Sequence, residues 1–274
     1  METLIAILLG IFQGLTEFLP VSSSGHLAVL EKIFGQTLGF TAKEAHLFNV
    51  LVHLATVLAV ILVFRKTIIE LFTSLFKKTE YQNFKTSNRL RLVVLIIIAT
   101  IPTGIIGILG KKVFARITDS LLLIGFMFFI TAILLIITHF IKKEEIYEYQ
   151  KISFLKAFIL GIVQGIAVAP GISRSGSTIA CSRFLGISRE KAGEFSFLIA
   201  IPAIIGAAIL ELPGSGLGNS GWHVFLLGFF AALITGYFSL KFLLVFIRKG
   251  KLHYFGYYVI LAGIVSIVLH WRGL

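Results

Sequence analysis

A segment near the start of the chain recurs near its middle, and both copies place polar residues inside apolar sequence. Gly10 to His26 aligns without a gap with Gly161 to Ser177, at a constant offset of 151 residues. The identical positions are Gly10, Ile11, Gln13, Gly14, Ser22, Ser24 and Gly25, which recur as Gly161, Ile162, Gln164, Gly165, Ser173, Ser175 and Gly176. The informative differences are Glu17 opposite Val168, Ser23 opposite Arg174, and His26 opposite Ser177. In membrane proteins, such a duplication predicts two halves that meet at one site near the bilayer midplane.

The composition is that of an integral membrane protein. Hydrophobic residues make up 57% of the 274 residues and charged residues 14%, and the mean hydropathy is +0.96. Six apolar stretches each have roughly the 20 residues that a hydrocarbon core of about 30 Å requires. They are 44–64, 91–110, 120–141, 189–211, 222–247 and 255–272.

Two further apolar segments, 1–35 and 154–187, are broken by Pro, Gly and consecutive Ser residues. Irregular backbone at membrane depth requires protein or a watery cavity to satisfy its polar groups. We therefore predict an all-α integral membrane protein with six transmembrane helices and two re-entrant helix–loop–helix hairpins, arranged as an inverted-topology repeat. The alternative is an ordinary spanning helix, kinked at small residues. Residues 1–274 form a single membrane domain, with repeat one at about 1–141 and repeat two at about 154–274.

The basic residues predict the orientation. The formal net charge is +12, and 12 of the 25 Lys and Arg residues fall in the connectors 65–90, 142–153 and 248–251, which six spans place on one face. Since Lys and Arg are favoured in cytoplasmic loops, we expect both termini outside and a first hairpin that enters from outside. Basic residues spread over loops, without a nucleic-acid-binding motif, predict attraction to anionic membrane lipids and no nucleic-acid partner.

Polar residues of the two broken segments form a candidate phosphate site. Ionisable groups at membrane depth are costly and therefore candidates for function; they are Glu17, His26, Arg174 and Glu194. Ser23 and His26, three apart on one helix face, suit a nucleophile and its base, with Glu17 orienting the imidazole. The guanidinium of Arg174, among hydroxyls and backbone N–H groups, suits a phosphate. Together with the membrane setting, these groups predict a substrate that combines a lipid tail with a phosphorylated head. The alternative to a phosphate site is a structural ion pair between Glu17 and Arg174.

Three motifs resemble those of the undecaprenyl-diphosphate phosphatases of the bacitracin-resistance family. They are Gln-Gly-Leu-Thr-Glu-Phe-Leu-Pro-Val-Ser-Ser-Ser-Gly-His from Gln13, Pro-Gly-Ile-Ser-Arg-Ser-Gly from Pro170, and Gly-Glu-Phe-Ser-Phe from Gly193. The resemblance covers nearly the full length. It implies hydrolysis of the terminal phosphate of a C55 polyprenyl diphosphate in the bacterial inner (plasma) membrane, which recycles the carrier lipid of cell-wall synthesis and confers bacitracin resistance. It also implies an inverted-repeat fold, a homodimer and an active site that opens outward.

The resemblance, together with the residue chemistry, implies a role for each site residue. The catalytic set is Ser23 as nucleophile with His26, Glu17 and Arg174. The substrate-binding set is Gln13, Ser22, Ser24, Gly25, Ser173, Ser175 and Gly176, and the supporting residues are Glu194 and Asn49. A divalent cation, Mg²⁺ or Ca²⁺, is expected at Glu17 with Gln13. Because Gln13 is an amide where many relatives have Glu, it contributes no charge to that cation site.

Three alternatives stay open at this point. A flippase or transporter of polyprenyl phosphate would use the same inverted repeat, since a fold alone does not set function. His26 rather than Ser23 would attack phosphorus in a second version of the chemistry. Glu194 would belong to the site or would pair with Arg189 or Lys191.

Overall fold

The computed structural model describes residues 2–34, 40–77, 87–141, 146–218 and 220–273. Within these ranges the chain is helical, and its only β-type pairing is an isolated bridge between Ile146 and Ile187. The α-helices of the described residues are α1 Glu2–Phe18, α2 Ser23–Phe34, α3 Ala42–Val63, α4 Arg65–Ser74, α5 Asn88–Thr118, α6 Leu121–Ile137, α7 Phe154–Ile166, α8 Arg174–Phe184, α9 Arg189–Glu211, α10 Trp222–Arg248 and α11 His253–Trp271. Short 3-10 helices cover Thr138–Phe140, Tyr149–Lys151 and Leu212–Gly214. The predicted all-α fold is confirmed.

Six helices of the described chain are long and apolar enough to cross a membrane. They are Lys43–Val63, Asn88–Thr118, Leu121–Phe140, Arg189–Glu211, Trp222–Arg248 and His253–Trp271. Each contains or closely overlaps one predicted apolar stretch, so the prediction of six spans is confirmed. The main difference is α5, whose 31 residues include Pro102 without a break.

The connector 65–90 contains a helix that the sequence analysis did not predict. This helix, α4, follows α3 directly and keeps few of its side chains buried. The basic residues within 78–86 and 142–145 lie outside the described residues. The orientation prediction that uses them stays a prediction.

Both broken segments fold as a helix, a break and a second helix. In the first segment α1 ends at Phe18 and α2 begins at Ser23, and in the second α7 ends at Ile166 and α8 begins at Arg174. Ser23 and Arg174 are aligned positions of the repeat, so both copies restart their helix at the same place. The re-entrant placement of these hairpins in a membrane stays a prediction.

A serine caps the second helix of each hairpin. The hydroxyl of Ser22 accepts a hydrogen bond from the backbone N–H of Gly25 at 3.3 Å. The hydroxyl of Ser173 accepts one from the N–H of Gly176 at 3.1 Å. Serine is a favoured N-cap because its side chain satisfies a backbone donor that the helix itself leaves free. The duplicated Ser and Gly residues therefore explain why both copies of the segment restart a helix after the break.

The first helix of each hairpin packs against a long helix of the other repeat. Helix α1 packs along α10 of the second repeat, and its counterpart α7 packs along α5 of the first. A Cβ at Gly10 would lie 2.3 Å from the carbonyl oxygen of Gly228, and one at Gly161 would lie 2.1 Å from that of Ala99. Gly10 and Gly161 are aligned positions, so each repeat uses the same small residue to bring two membrane helices into contact.

The charged connectors gather at one end of the bundle, which we call the basic end. Lys156 Nζ donates to the carbonyl of Leu185 at 2.7 Å, so α7 begins beside the end of α8. Arg248 Nη2 lies 3.7 Å from a carboxylate oxygen of Glu190, which joins the end of α10 to the start of α9. At the opposite end, the carbonyl of Lys43 accepts from the N–H of Gly216 at 3.3 Å.

Candidate active site

The two breaks lie against each other inside the bundle; we call them the first tip (residues 19–25) and the second tip (residues 167–176). The N–H of Gly171 donates to the hydroxyl of Ser22 at 3.0 Å. In return, the hydroxyl of Ser175 donates to the carbonyl of Phe18 at 3.0 Å. The tips therefore meet, as the repeat predicted.

Backbone conformations that are rare elsewhere allow this contact. Ser22 has φ +68°, in the left-handed region that residues other than glycine seldom occupy. Its hydroxyl accepts from the N–H groups of both Gly25 and Gly171, and these bonds hold the conformation. Gly171 has φ +92°, which a side chain would oppose. The strained serine directly precedes the predicted nucleophile, Ser23.

Thr131 of α6 fixes the second tip from the side. Its hydroxyl donates to the carbonyl of Gly171 at 2.9 Å and accepts from the N–H of Ser173 at 2.9 Å. Thr131 is fully buried, so both backbone groups are satisfied away from water. A single side chain thus replaces the hydrogen bonds that the broken helix cannot make.

Glu17 is the centre of the site. Its Oε2 accepts from the hydroxyl of Ser23 at 2.8 Å and from Nε2 of Gln13 at 3.0 Å. Its Oε1 forms an ion pair with the guanidinium of Arg174. His53 of α3 completes the surroundings, with Nε2 3.8 Å from Oε2. The Glu17 side chain is 5% exposed and that of Arg174 23%, so the arginine side of this pair is accessible to a ligand.

His26 departs from the expected arrangement. Its Nδ1 lies 2.8 Å from the carbonyl oxygen of Ser22, and its Nε2 lies 2.9 Å from the hydroxyl of Tyr258. The expectation that Glu17 orients the imidazole beside Ser23 is wrong, because Glu17 binds the Ser23 hydroxyl directly. His26 lies one turn further along α2, where its ring contacts Phe128 of α6 instead.

Most of the expected substrate-binding serines have structural partners instead. Ser22, Ser173 and Ser175 are at most 6% exposed, and their hydroxyls bind backbone groups of the two tips. Ser24 is exposed on the first tip. The hydroxyls of Ser22 and Ser175 therefore join the first hairpin to the second tip, whereas that of Ser173 caps α8 within the second tip. Their role in substrate binding stays a prediction.

The glycines of the predicted cradle allow the tips to approach. A Cβ at Gly25 would lie 2.6 Å from the backbone nitrogen of Gly171. One at Gly176 would lie 3.1 Å from Cβ of Pro20. Their lack of a side chain is required for contact between the tips.

The two supporting residues lie outside this arrangement. Asn49 is exposed, and its carbonyl rather than its side chain accepts from Nδ1 of His53 at 2.8 Å. Glu194 accepts from Nζ of Lys191 at 2.8 Å and from the hydroxyl of Thr67 at 3.0 Å. Glu194, Lys191 and Thr67 line a separate polar pocket of about 470 Å³ at the basic end. The alternative pairing of Glu194 with Lys191 is confirmed, and its supporting role stays a prediction.

Two residues that sequence reasoning did not assign to the site contribute to it, as does His53, for which the sequence left site lining and helix packing equally open. Tyr258 reaches His26, Thr131 holds the second tip, and His53 approaches Glu17. Tyr258 stands among tyrosines near a span end, where aromatic residues are typical of the membrane interface. A signal existed only for His53, because its spacing of four from Asn49 put it on one face of α3.

The donor set does not fit a resident divalent cation. Ca²⁺ takes six to eight oxygen ligands in proteins, and Mg²⁺ takes six, of which one or two are usually carboxylates with a free oxygen and the others waters or substrate phosphates. Here Glu17 is the single carboxylate, and its oxygens are engaged by Arg174, Ser23 and Gln13. Gln13 adds one neutral buried oxygen that accepts no hydrogen bond from any described residue. No group of three His, Cys, Asp or Glu residues among the described ones suits a metal.

Comparison with known proteins identifies the family of the chain. A family model described as "Bacitracin resistance protein BacA" matches residues 6–265. The chain belongs to this family. The family predicted from the three motifs is therefore confirmed.

Curated relatives resemble the chain over its whole length. An undecaprenyl-diphosphatase of Carboxydothermus hydrogenoformans is 41% identical over 278 residues, which cover 100% of this chain and 99% of the relative. One of Treponema denticola is 44% identical over 272 residues, with 97% of each protein covered. One of Halothermothrix orenii is 39% identical over 272 residues, with 98% of each covered.

Proposed function

We propose that this member of the BacA family is an undecaprenyl-diphosphatase. It hydrolyses the terminal phosphate of C55 polyprenyl diphosphate, and the monophosphate returns to cell-wall carrier-lipid recycling, which confers bacitracin resistance. One observation carries the proposal: Ser23 and Arg174, from opposite repeats, bind the same carboxylate of Glu17. A hydroxyl and a guanidinium held this close fit one phosphoryl group. The names of the full-length relatives support the same activity.

The site offers positive potential to a diphosphate. Helices α2 and α8 both begin at the tips, and helix N-termini carry partial positive charge and free N–H groups. Arg174 is the first residue of α8, and its planar guanidinium suits two phosphate oxygens. An incoming diphosphate would compete with Glu17 for Arg174 and thereby free the carboxylate.

The hydrogen bond between Ser23 and Glu17 defines the first chemical step. The Ser23 oxygen attacks the terminal phosphorus, and the bond from that phosphorus to the bridging oxygen breaks. Polyprenyl monophosphate leaves, and the serine proton passes to Glu17, 2.8 Å away. Arg174 offsets the charge on the transferring phosphoryl group. Water then cleaves the phosphoserine, its oxygen bonds to phosphorus, and Ser23 regains a proton from Glu17 as inorganic phosphate is released.

The geometry favours Ser23 over His26 as the nucleophile. Both ring nitrogens of His26 have partners, the Ser22 carbonyl and the Tyr258 hydroxyl. Ser23 has a carboxylate as its acceptor instead. A phospho-enzyme trapped during turnover and mapped by mass spectrometry should carry phosphoserine at Ser23. Phosphohistidine at His26 would reverse the assignment.

Phosphate release from the purified protein tests the proposed activity. Wild-type protein in detergent with C55 polyprenyl diphosphate should release phosphate, and Ser23→Ala should reduce the rate on the order of 10³-fold or more. Ser215→Ala is the control, because its exposed hydroxyl bonds only to the nearby Leu212 carbonyl. An inactive wild-type protein that instead moves labelled polyprenyl phosphate between leaflets would support the flippase alternative.

We also propose that both termini are extracytoplasmic, that the site opens outward and that the protein is a homodimer. Basic residues at the basic end support the orientation, because cytoplasmic loops favour Lys and Arg. The described basic residues of these connectors are Arg65, Lys66, Lys77, Arg89, Lys151, Arg248, Lys249 and Lys251, whereas the opposite end has Lys43, Lys111, Lys112, Arg116 and Arg272. The family resemblance supports the dimer. Reporter fusions at each terminus test the orientation, and a mass measurement in detergent tests the dimer.

A further inference from the structure

We propose that Tyr258 is a positioning residue, which acts through His26 on the backbone that presents Ser23. The inference rests on the proposed phosphatase activity. Its basis is a chain of contacts that runs from the last helix of the second repeat to the first tip. Each link is a hydrogen bond or a ring contact between described residues.

The first link fixes the imidazole. The hydroxyl of Tyr258 lies 2.9 Å from Nε2 of His26. The two rings stack with an interplanar angle of 5° and centroids 5.6 Å apart. Because the Ser22 carbonyl can only accept, Nδ1 must carry the proton of the bond between His26 and Ser22. In the neutral imidazole Nε2 is then an acceptor, and the tyrosine hydroxyl is its donor.

Tyr258 provides the hydrogen bond that the rest of the His26 surroundings lacks. Phe128 meets the His26 ring edge to face at 4.9 Å between centroids, and Phe12 lies at 6.4 Å. Phenyl rings restrict the imidazole by contact but offer no O–H or N–H donor. Among the described residues, the ring makes one other hydrogen bond, which Nδ1 donates to the Ser22 carbonyl.

The second link transmits this restraint to the nucleophile. Nδ1 of His26 donates to the carbonyl of Ser22, the residue with φ +68°. A non-glycine residue keeps such a conformation only when its surroundings over-determine it. Ser22 is bonded to Ser23, so holding its carbonyl, which also accepts from the backbone N–H of His26 at 3.2 Å, restrains the peptide plane from which the Ser23 side chain reaches Glu17. Loss of the tyrosine hydroxyl should loosen the imidazole, then this turn, and finally the nucleophile.

The test is a double-mutant cycle on phosphate release. Tyr258→Phe removes one oxygen and keeps the stacked ring, and kcat should fall about tenfold with little change in KM, as expected from the loss of one positioning hydrogen bond. In a His26→Gln background the same substitution should have no further effect on kcat, because the link it serves is already gone. Tyr257→Phe is the matched control at the adjacent tyrosine, which is similarly exposed, and should match wild type.

Each other outcome overturns the inference. Unchanged kcat in Tyr258→Phe, a change confined to KM, or an equal fall in the His26→Gln background would each contradict the relay. The thermal unfolding midpoint is measured for all variants, and a loss of stability that is the same in both backgrounds would show a purely structural role. Inactive wild-type protein would contradict the proposed phosphatase function instead, so the two failures are distinguishable.

Discussion

The two tips share a sequence pattern but differ in what they contribute. The first tip presents Ser23 and lies beside the Glu17 carboxylate, and its strained residue is Ser22. The second tip contributes Arg174, and its serines are buried in bonds to backbone groups. One copy therefore supplies the hydroxyl and the carboxylate of the proposed reaction, while the other supplies the fixed cation and the support. The repeat therefore gives both halves a similar backbone, and the residues that differ at a few aligned positions make the two halves chemically different.

The aligned glutamines show the same divergence. Gln13 donates to Glu17 at 3.0 Å, within the site. Gln164 donates instead to the Thr103 hydroxyl and the Ile199 carbonyl, both at 3.2 Å. The reason lies one helical turn away, where the first repeat has Glu17 and the second has Val168. An identical residue becomes part of a site or part of the packing according to its neighbour.

The largest effect is expected from removing the cation of the second tip. Arg174→Ala should lower phosphate release on the order of 10³-fold, because the charge on the transferring phosphoryl group loses its partner. Arg248→Ala should retain wild-type activity, since its ion pair with Glu190 is exposed at the basic end. An active Arg174→Ala protein would show that the second tip is support alone.

The next largest effect should come from filling the contact between the tips. Gly25→Ala should lower the free energy of unfolding by about 1–3 kcal/mol, because its Cβ meets backbone atoms of Gly171. Gly176→Ala should cost less, because its Cβ meets side-chain atoms of Pro20 and Ser173 at 3.1 Å. Chemical unfolding in detergent measures both, with Gly104→Ala as the unhindered control. Equal costs would mean that the tips are not in tight contact.

A moderate effect is expected from the support of the second tip. Thr131→Val removes the donor to the Gly171 carbonyl and the acceptor of the Ser173 N–H, and should cost about 1–3 kcal/mol of unfolding free energy. Thr100→Val is the control, since that hydroxyl bonds only to the carbonyl of Ile96 in its own helix. If both variants unfold alike, the second tip does not depend on Thr131.

The smallest effect is expected from introducing a second acid into the first repeat. Gln13→Glu should create weak binding of Mg²⁺ or Ca²⁺ in the absence of lipid, measured by titration calorimetry, because two carboxylates then face one another. Wild-type protein should show no saturable binding under the same conditions. The double variant Gln13→Glu/Glu17→Gln should lose the binding again. Saturable binding by wild type would contradict our conclusion about its donor set.

Sequence alone determined much of this fold, for reasons that operate locally. Continuous apolar stretches of membrane length predicted the six spans, since a helix must satisfy its own backbone in lipid. Pro20 and the serines after it predicted the break in the first segment, and the repeat predicted its partner. The ionisable residues Glu17 and Arg174 identified the centre of the site, because charge at membrane depth requires a partner.

Only the tertiary structure decided which side chains meet across the repeats. Tyr258 reaches His26 from 232 residues away, a contact that helix packing creates and that no local spacing encodes. The pairing of Ser23 with Glu17 rather than His26 depends on where α2 begins relative to α1. Helical periodicity indicates which face of its own helix a residue occupies. Which face of a neighbouring helix lies opposite is set by how the helices pack.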